Sequence, residues 1–353
     1  NRTLENFKSF ITEQKDEPYK LIIFNHSAEM VRDVKDTSLS QLIKLLNDSA
    51  KKTGIQIYNV DFVGLFVSEK NGKKYLNSFP FDDDGEVILP DQKDGVEKQY
   101  APPIEINPEN TILMPRGMGT VDFTSSRNWI DTVRGLELDG FLTIPTVETW
   151  DICTSKYITD IMCKRNGLRT PRTIAISYSE DTNRAVEELG TKFPIILKTS
   201  TGSQTGVGVT VVESLRSLHS AVQMLKLYKK YLPLLIQEYI KTDYDVRVVV
   251  LDGKILGAMR RDVIEGDVRS NASLGAKTDN IELTDLEKQD SIKAAETVKG
   301  KLVGVDFIPS KDTEKERPYI LEVNSMPGFG GIEKIQKGLT VDILNYLKNR
   351  DNW

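Results

Sequence analysis

The stretch "YILEVNSMPG", residues 319–328, decides the fold, because a short apolar strand there carries an acid and an amide before it ends. Glu322 and Asn324 are two positions apart, so they share one face of an extended strand. Pro327 and Gly328 then turn the chain away. An acid and an amide on one face of such a strand require a polar or charged partner.

The partner is found in the preceding apolar run "LVGVDFIPS", residues 302–310. The polar segment "KDTEKE" joins the two runs, which predicts a hairpin with Asp306 within about one position of Glu322. Two adjacent carboxylates repel each other unless a cation or a proton lies between them. Asp306, Glu322 and Asn324 offer hard oxygen ligands, so we predict a Mg²⁺ site rather than a buried polar cluster.

The stretch "FPIILKTSTGSQTGVGVTVVES", residues 193–214, contains a glycine-rich loop between two β-branched runs. Lys198 is near the end of the first run, and Gly202, Gly206 and Gly208 follow it. Glycines let backbone N–H groups approach an anion closely. The spacing matches neither a P-loop nor a dinucleotide-binding fingerprint. From these residues alone, a phosphate-binding loop and an ordinary glycine-rich turn are both open.

A third stretch, "LLIQEYIKTDYDVRVVVLDGKIL" at residues 234–256, ends one strand and begins another hairpin. Its polar positions could hold a nucleotide, with backbone groups at the base and a carboxylate at the ribose. An edge hairpin with solvated charges is the alternative. The candidate residues are Gln237, Glu238, Tyr239, Ile240 and Asp245.

A fourth stretch, "AMRRDVIEGDVRSNASLGA" at residues 258–276, contains three arginines. Arg260, Arg261 and Arg269 have forked donors that suit phosphate or carboxylate groups. A charged, solvated loop is the alternative explanation.

Composition excludes several classes of function. The 353 residues include 47 Lys and Arg against 52 Asp and Glu, and the net charge of −5 gives no support for nucleic-acid binding. No apolar run approaches the ~20 residues of a membrane helix. His26 and His219 are too few for a His/Cys zinc site or a Ser-His-Asp mechanism.

The two cysteines, Cys153 and Cys163, fall in one predicted helix and are ~15 Å apart along its axis, too far for a disulfide. This spacing favours a reduced, cytoplasmic protein. The helix covers "TWDICTSKYITDIMCKRNG", with Thr149 as its cap and Gly167 as its stop.

Two or three packed units are expected, because the chain is too long for one ordinary core, and we divide it into three. An N-terminal open α/β domain spans residues 1–148, beginning with the βαβ pattern of "KLIIFN", "SLSQLIKLLNDSAKKTG" and "IQIYNV". A hairpin turning at Asn71-Gly72 and a long acidic excursion at 82–110 follow. The remainder alternates hairpins with helices and divides into a small lobe, residues 149–235, and a larger lobe with the metal site, residues 236–353.

The order of these four stretches along the chain resembles that of the ATP-grasp fold. Their residues are similar to those of the RimK-type glutamate ligases, which add glutamate to the C-terminus of a ribosomal protein. The resemblance runs from about Pro115 to the end and is strongest in "EGDVRSN", "VGVDFI" and "LEVNSMPGFGGIEK". Before about residue 110 the similarity fades. The implied fold class is α/β, with a pre-ATP-grasp domain followed by a two-lobed ATP-grasp domain.

Carried over position by position, the resemblance implies a role for each candidate. Lys156 and Lys198 would contact the phosphates of ATP under a lid formed by Gly202, Gly206 and Gly208. The nucleotide base and ribose would lie against Gln237, Glu238, Tyr239, Ile240 and Asp245. The triphosphate and the activated acyl group would face Arg269, the catalytic candidate, with Ser270 and Asn271. The ligands of Mg²⁺ or Mn²⁺ would be Asp306, Glu322 and Asn324.

The resemblance also implies a carboxylate–amine ligase that works through an acyl phosphate. Its partners would be ATP, an amino-acid amine such as glutamate, and a carboxylate on a peptide, a protein C-terminus or a small molecule. Family members often form homo-oligomers. Two alternatives stay open: a small-molecule kinase on the same fold and a non-catalytic ATP-binding module. Neither nucleic acid nor a membrane is expected as a partner.

Overall fold

The computed structural model describes residues 18–25, 38–62, 64–80, 100–116, 123–177, 181–201, 209–228, 233–263 and 277–353. Within these ranges the chain forms an α/β protein built on four sheets. The predicted α/β fold class is therefore confirmed.

The N-terminal unit contains the predicted βαβ pattern. Strands β1 and β2 are parallel and flank helix α1. The helix ends just before Gly54, whose φ is +76°. The order in this sheet is β2-β1-β6-β7, and every pair is parallel. Helix α2 follows β6. The bounds are β1 Lys20–Asn25, α1 Ser38–Thr53, β2 Gln56–Asp61, β6 Thr111–Pro115, α2 Phe123–Leu138 and β7 Leu142–Thr143.

A small antiparallel sheet accompanies this unit and consists of β3 (Phe66–Lys70), β4 (Lys73–Asn77) and β5 (Ile104–Ile106). The predicted Asn71-Gly72 turn is confirmed, with φ values of +54° and +74°. The expected excursion at 82–110 was wrong in its last part, because β5 pairs with β4. Its earlier part, up to residue 99, lies outside the described residues.

The long helix expected from Thr149 to Gly167 was also wrong, because the chain forms two helices that break at Ser155. Helix α3 spans Val147–Thr154 and is capped by Thr146, not Thr149, while α4 spans Lys156–Arg165. Ser155 has an extended backbone and caps α4 with its side chain. Cys153 and Cys163 therefore lie on different helices.

The small lobe is built on an antiparallel sheet in the order β10-β9-β11-β8, with two helices on one face. Its bounds are β8 Thr173–Ile176, α5 Thr182–Leu189, β9 Ile195–Thr199, β10 Val209–Val212, α6 Leu215–Tyr228 and β11 Leu234–Glu238. The expected lobe boundary at residues 235/236 falls inside β11, and the strand itself ends at Glu238.

The large lobe contains a five-stranded antiparallel sheet in the order β14-β13-β12-β15-β16. Helix α7 covers one face, packing on Val246, Val248 and Val305. The opposite face is apolar at one end and charged at the other. The bounds are β12 Tyr244–Leu251, β13 Lys254–Asp262, β14 Thr278–Asn280, α7 Asp285–Thr297, β15 Leu302–Ile308 and β16 Tyr319–Asn324.

The apolar end of that face joins the N-terminal unit to the C-terminal helices in one core. Leu42 and Leu46 of α1 belong to the same buried cluster as Ile343 and Leu344 of α9 and Val249 of β12. Helices α8 (Gly330–Ile335) and α9 (Leu339–Lys348) are followed by a short 3₁₀ turn, Arg350–Asn352. The first and last parts of the chain thus share their apolar interior.

No helix in the described part of the chain is long and apolar enough to cross a membrane.

Candidate active site

One cleft between the small-lobe and large-lobe sheets collects most of the described candidates. The cleft encloses about 180 Å³. Its apolar walls come from both lobes and consist of Pro171, Ile196, Val209, Val263, Ile308 and Leu321. The predicted residues that line it are Lys156, Lys198, Gln237, Glu238, Tyr239, Ile240, Asp245 and Glu322. An apolar slot with a charged rim can take a flat ring attached to an anionic group.

Lys198 reaches the cleft because β9 alternates. Ile195 and Leu197 point into the small-lobe core, whereas Ile196 and Lys198 point to the other face. The Lys198 side chain is only 8% exposed and donates a hydrogen bond to Gln237 Oε1 at 3.0 Å. Burial lowers the pKa of Lys198 to about 8, although Glu322 partly offsets this effect. Among the described residues, it has no carboxylate within ion-pair distance.

Lys156 reaches the same cleft from the first turn of helix α4, and the break at Ser155 places it there. Ser155 forms a β-bridge with Thr201, and the Lys156 backbone N–H donates to Ser200 O at 2.9 Å. The first turn of α4 is thereby docked on the end of β9. Lys156 Nζ lies 3.9 Å from Glu322 Oε1, so both predicted phosphate-binding lysines face the same space.

The connection from β11 to β12 contributes Tyr239, Ile240 and Thr242 to the lining of the cleft. Glu238, the last residue of β11, accepts hydrogen bonds from the backbone N–H of Arg172 at 2.8 Å and from Arg172 Nε at 3.0 Å. The sequence interpretation did not include Arg172. These two bonds hold the Glu238 carboxylate at the side of the slot.

The charged half of the large-lobe sheet is a row of three directly opposed residues. Arg247 pairs in register with Asp306, and Asp306 pairs with Glu322, as the predicted hairpin required. Arg247 Nε donates to Asp306 Oδ1 at 2.7 Å, and Arg247 Nη2 donates to Oδ2 at 2.6 Å. Burial acts to raise the pKa of Asp306, but Arg247 and Arg261 outweigh it and bring the pKa to about 2.

Arg261 extends this row to the neighbouring strands. Its Nε and Nη2 donate to the two oxygens of Asp245 at 2.6 and 2.8 Å, and Nη2 also lies 3.1 Å from Asp306 Oδ2. Asp245, expected near a ribose, is therefore also the partner of a buried arginine. The sequence interpretation considered Arg261 only as part of an arginine cluster and did not single out Arg247. The available signal was the placing of charged residues within apolar strands, Asp245 and Arg247 in "DVR" and Arg261 in "MRR".

Asn324 closes the network. With its amide oriented so that both atoms have partners, Nδ2 donates to Glu322 Oε1 at 3.1 Å and Oδ1 accepts from Arg247 Nη2 at 3.1 Å. Arg116, at the end of β6, donates through Nη2 to Pro327 O at 2.8 Å and so contacts the turn that follows this strand.

The oxygen atoms of these residues fit a hard divalent cation whose remaining ligands come from waters and phosphates. Asp306, Glu322 and Asn324 lie together on one face and offer only oxygen ligands, apart from the amide nitrogen. In the described ranges, no group of three or more His, Cys, Asp or Glu side chains could hold a metal ion. Mg²⁺ commonly uses one or two carboxylates with waters and phosphates, which matches two carboxylates and one amide.

The remaining candidates lie outside the described residues. They are Gly202, Gly206 and Gly208 of the proposed lid and Arg269, Ser270 and Asn271 of the arginine-rich stretch.

Comparison with known proteins identifies the class of this fold. A D-alanine–D-alanine ligase from Bacillus anthracis superposes with a TM-score of 0.56 over 93% of both chains at 18% identity. The ATP-grasp ligase PsnB, in a complex with a minimal precursor, superposes with a TM-score of 0.61 over 94% of this chain and 98% of its own, also at 18% identity. The fold is that of the ATP-grasp ligases.

The family follows from the sequence. The model of the RimK-like ATP-grasp domain matches residues 154–347, more than half of the chain, so this chain belongs to the RimK-like ATP-grasp family. A protein named "Probable alpha-L-glutamate ligase" from Syntrophotalea carbinolica is 30% identical over 190 residues. That match covers 53% of this chain and 60% of the relative. The predicted resemblance is confirmed.

Proposed function

We propose that this protein is an ATP- and Mg²⁺-dependent carboxylate–amine ligase. The observation that carries the proposal is Lys198, a buried cation at the cleft that has no carboxylate partner among the described residues. Burying an unpaired charge is costly, so a site of this kind favours an anionic ligand. Lys156 lines the same cleft, and the apolar walls can take the base of a nucleotide.

The reaction would proceed in two displacements. An oxygen of the substrate carboxylate attacks the γ-phosphorus of ATP, the bond from that phosphorus to the β,γ-bridging oxygen breaks, and ADP leaves. An amine then attacks the carbonyl carbon of the acyl phosphate, the C–O bond breaks, and inorganic phosphate leaves as the amine loses a proton. The product is an amide.

The protein's residues would contribute positioning and charge neutralisation. Lys156 and Lys198 would hold the phosphate oxygens, and the segment 239–242 would border the base. Asp306, Glu322 and Asn324 would hold Mg²⁺, which supplies charge neutralisation at the phosphates when bound. Arg269, with Ser270 and Asn271 beside it, is proposed to stabilise the transferring phosphoryl group under the Gly202–Gly208 lid.

The proposed substrates follow from the family resemblance and the relatives' names. The amine would be glutamate or another amino acid. The carboxylate would belong to a peptide, a protein C-terminus or a small molecule, and the structure of PsnB with the precursor peptide PsnA2 favours a peptide.

The test is ADP release with ATP and Mg²⁺ against panels of amino acids and peptide carboxylates. ADP that forms only when both co-substrates are present, together with the joined product in mass spectrometry, is the expected result. With an ¹⁸O-labelled carboxylate, one ¹⁸O should appear in the released phosphate. A stable phosphorylated product formed without an amine would instead establish a kinase, and no turnover with tight ATP binding would favour a binding module.

Glu322→Gln tests the metal assignment. We expect turnover to fall by roughly 100-fold or more, because a ligating carboxylate is lost while the fold is kept. Glu314→Gln, an exposed change in the loop between β15 and β16, is the matched control and should leave turnover unchanged. Full activity of Glu322→Gln would refute the proposed metal site.

A further inference from the structure

The row of Arg247, Asp306 and Glu322 and the residues around it form a charge-balanced network. The neutral amide of Asn324 links Glu322 to Arg247, and the other links of the network are ion pairs among its three cations and three anions. They are Lys156, Arg247, Arg261, Asp245, Asp306 and Glu322. Their formal charges sum to zero. A divalent cation that entered this network alone would add two positive charges that nothing there balances.

Arg247 occupies the centre of this network. Its guanidinium binds both oxygens of Asp306 and reaches the Asn324 amide, so it contacts two of the three proposed metal ligands at once. The Asp306 side chain is 8% exposed, and the Arg247 side chain is 21% exposed. A bidentate pair of this geometry is among the stronger charge-assisted interactions in proteins. The oxygens that a metal needs are therefore already satisfied.

We propose that Arg247 is an internal counter-cation, which neutralises the metal ligands and occupies their oxygens until a nucleotide binds. This inference rests on the proposed function, because it takes Asp306, Glu322 and Asn324 as the metal ligands. A nucleotide brings negative charge that lets Arg247 move aside and the divalent cation bind. Metal binding without nucleotide is then weak because of Arg247 itself, which is a positioning residue and not a ligand.

The backbone of strand β15 passes close to Arg247 at Gly304. Residue 304, opposite Asn324 in the register, is glycine, and a Cβ at that position would lie 3.9 Å from Arg247 Nε and 3.8 Å from Asn324 Cβ. A side chain at residue 304 would therefore meet Pro327, Asn324 and Arg247 together, so glycine lets the Arg247 side chain lie close to this strand.

The experiment measures Mn²⁺ binding by electron paramagnetic resonance on the full chain without nucleotide. Wild type is expected to bind Mn²⁺ weakly, and Arg247→Met at least tenfold more tightly, because the network then carries a net charge of −1. Arg247→Lys keeps the charge and should stay weak. Arg169→Met is the matched control, since it removes a positive charge at the Tyr319 ring, outside the network, and should bind Mn²⁺ as wild type does.

Two further arms locate the metal and separate the hypotheses. Adding Glu322→Gln to Arg247→Met should abolish the gained affinity. If Arg247→Met binds Mn²⁺ no better than wild type, or if Arg169→Met gains equally, the counter-cation role is wrong. In that case, Mn²⁺ bound to wild type with a non-hydrolysable ATP analogue, and lost in Glu322→Gln, would leave the proposed metal site intact. Absence of that ternary signal would overturn both.

Discussion

At the scale of single residues, the burial of Lys198 lowers its pKa and so makes ligand binding at this lysine depend on pH. Its ammonium group is buried beside the Gln237 amide, and burial lowers its pKa to about 8. A lysine with this pKa is charged at neutral pH but loses its proton under mildly basic conditions. A bound phosphate would favour the charged form and raise the pKa again.

Nucleotide binding should therefore take up a proton above pH 8. With a non-hydrolysable ATP analogue at pH 9, where its phosphates are ionised, we expect uptake approaching one proton and an affinity that falls by up to tenfold per pH unit. Calorimetry in buffers of different ionisation enthalpy measures this uptake, which should vanish at pH 6.5.

Two variants control this measurement. Lys198→Met should bind weakly and without proton uptake at either pH. Lys192→Met changes an exposed lysine of the same lobe and should behave as wild type. Equal uptake by Lys198→Met and wild type would show that another group titrates.

At the scale of elements, strands β15 and β16 and the turn after them carry the proposed metal ligands and pack closely together. Gly304 is in contact with that turn, because a Cβ built there would lie 2.9 Å from Pro327 Cβ. Real Cβ atoms almost never come so close, so any side chain at residue 304 must push the turn away. Arg116 holds the same turn from the N-terminal unit.

Gly304→Ala should consequently impair both stability and metal-dependent turnover. We expect a loss of about 1–3 kcal/mol in the free energy of unfolding, measured with urea, because the extra methyl group overpacks the site. Gly328→Ala is the matched control, since a Cβ there would meet nothing within 4 Å and its φ is not positive. A Gly304→Ala variant as stable and active as wild type would contradict this packing argument.

The element scale also shows what sequence patterns can predict. The Asp306–Glu322 register, the Asn71-Gly72 turn and the βαβ unit followed from alternation, turn residues and helix stops. The break at Ser155 did not, because both helices have helical sequence patterns and the interruption depends on a bridge to Thr201. The strand β5 was missed because it has only three residues, and its pairing with β4 is not encoded in its own sequence.

The same limit applies to the site. Acids and lysines were identified because unusual polar residues interrupt apolar strands. Arg247 and Arg261 were not given their roles, because pairing across three strands becomes visible only when the sheet order β13-β12-β15-β16 is known. A sequence shows where a charged residue interrupts an apolar strand, but it does not show which distant residue neutralises that charge.

At the scale of the whole molecule, the core shared by α1, α9 and β12 determines how the parts unfold. Leu344 is fully buried in this core, and Leu46 of α1 is equally buried there. Since neither unit can keep its interior covered without the other, the N-terminal unit and the large lobe should unfold in one transition.

Leu344→Ala is expected to destabilise both parts together. The predicted loss is about 2–5 kcal/mol, the usual cost of a large-to-small change in a core. Urea unfolding followed by tryptophan fluorescence and by far-ultraviolet circular dichroism should give coincident curves. Leu138→Ala, at a residue that is 85% exposed, should change stability by less than about 0.5 kcal/mol. Separate transitions in Leu344→Ala would show that the two parts are independent.

The shared core has a consequence for how the chain is made in the cell. Lys348 Nζ donates to Thr53 O across 295 residues, and the apolar side of α1 is covered by the helix that contains this lysine. At a synthesis rate of about 5–20 residues per second, α1 leaves the ribosome roughly 15–60 s before its covering helix does. During that interval Leu42 and Leu46 have no native partner from α9. The nascent chain must therefore stay soluble with an apolar helix face uncovered, and chaperones that bind such faces have that time in which to act.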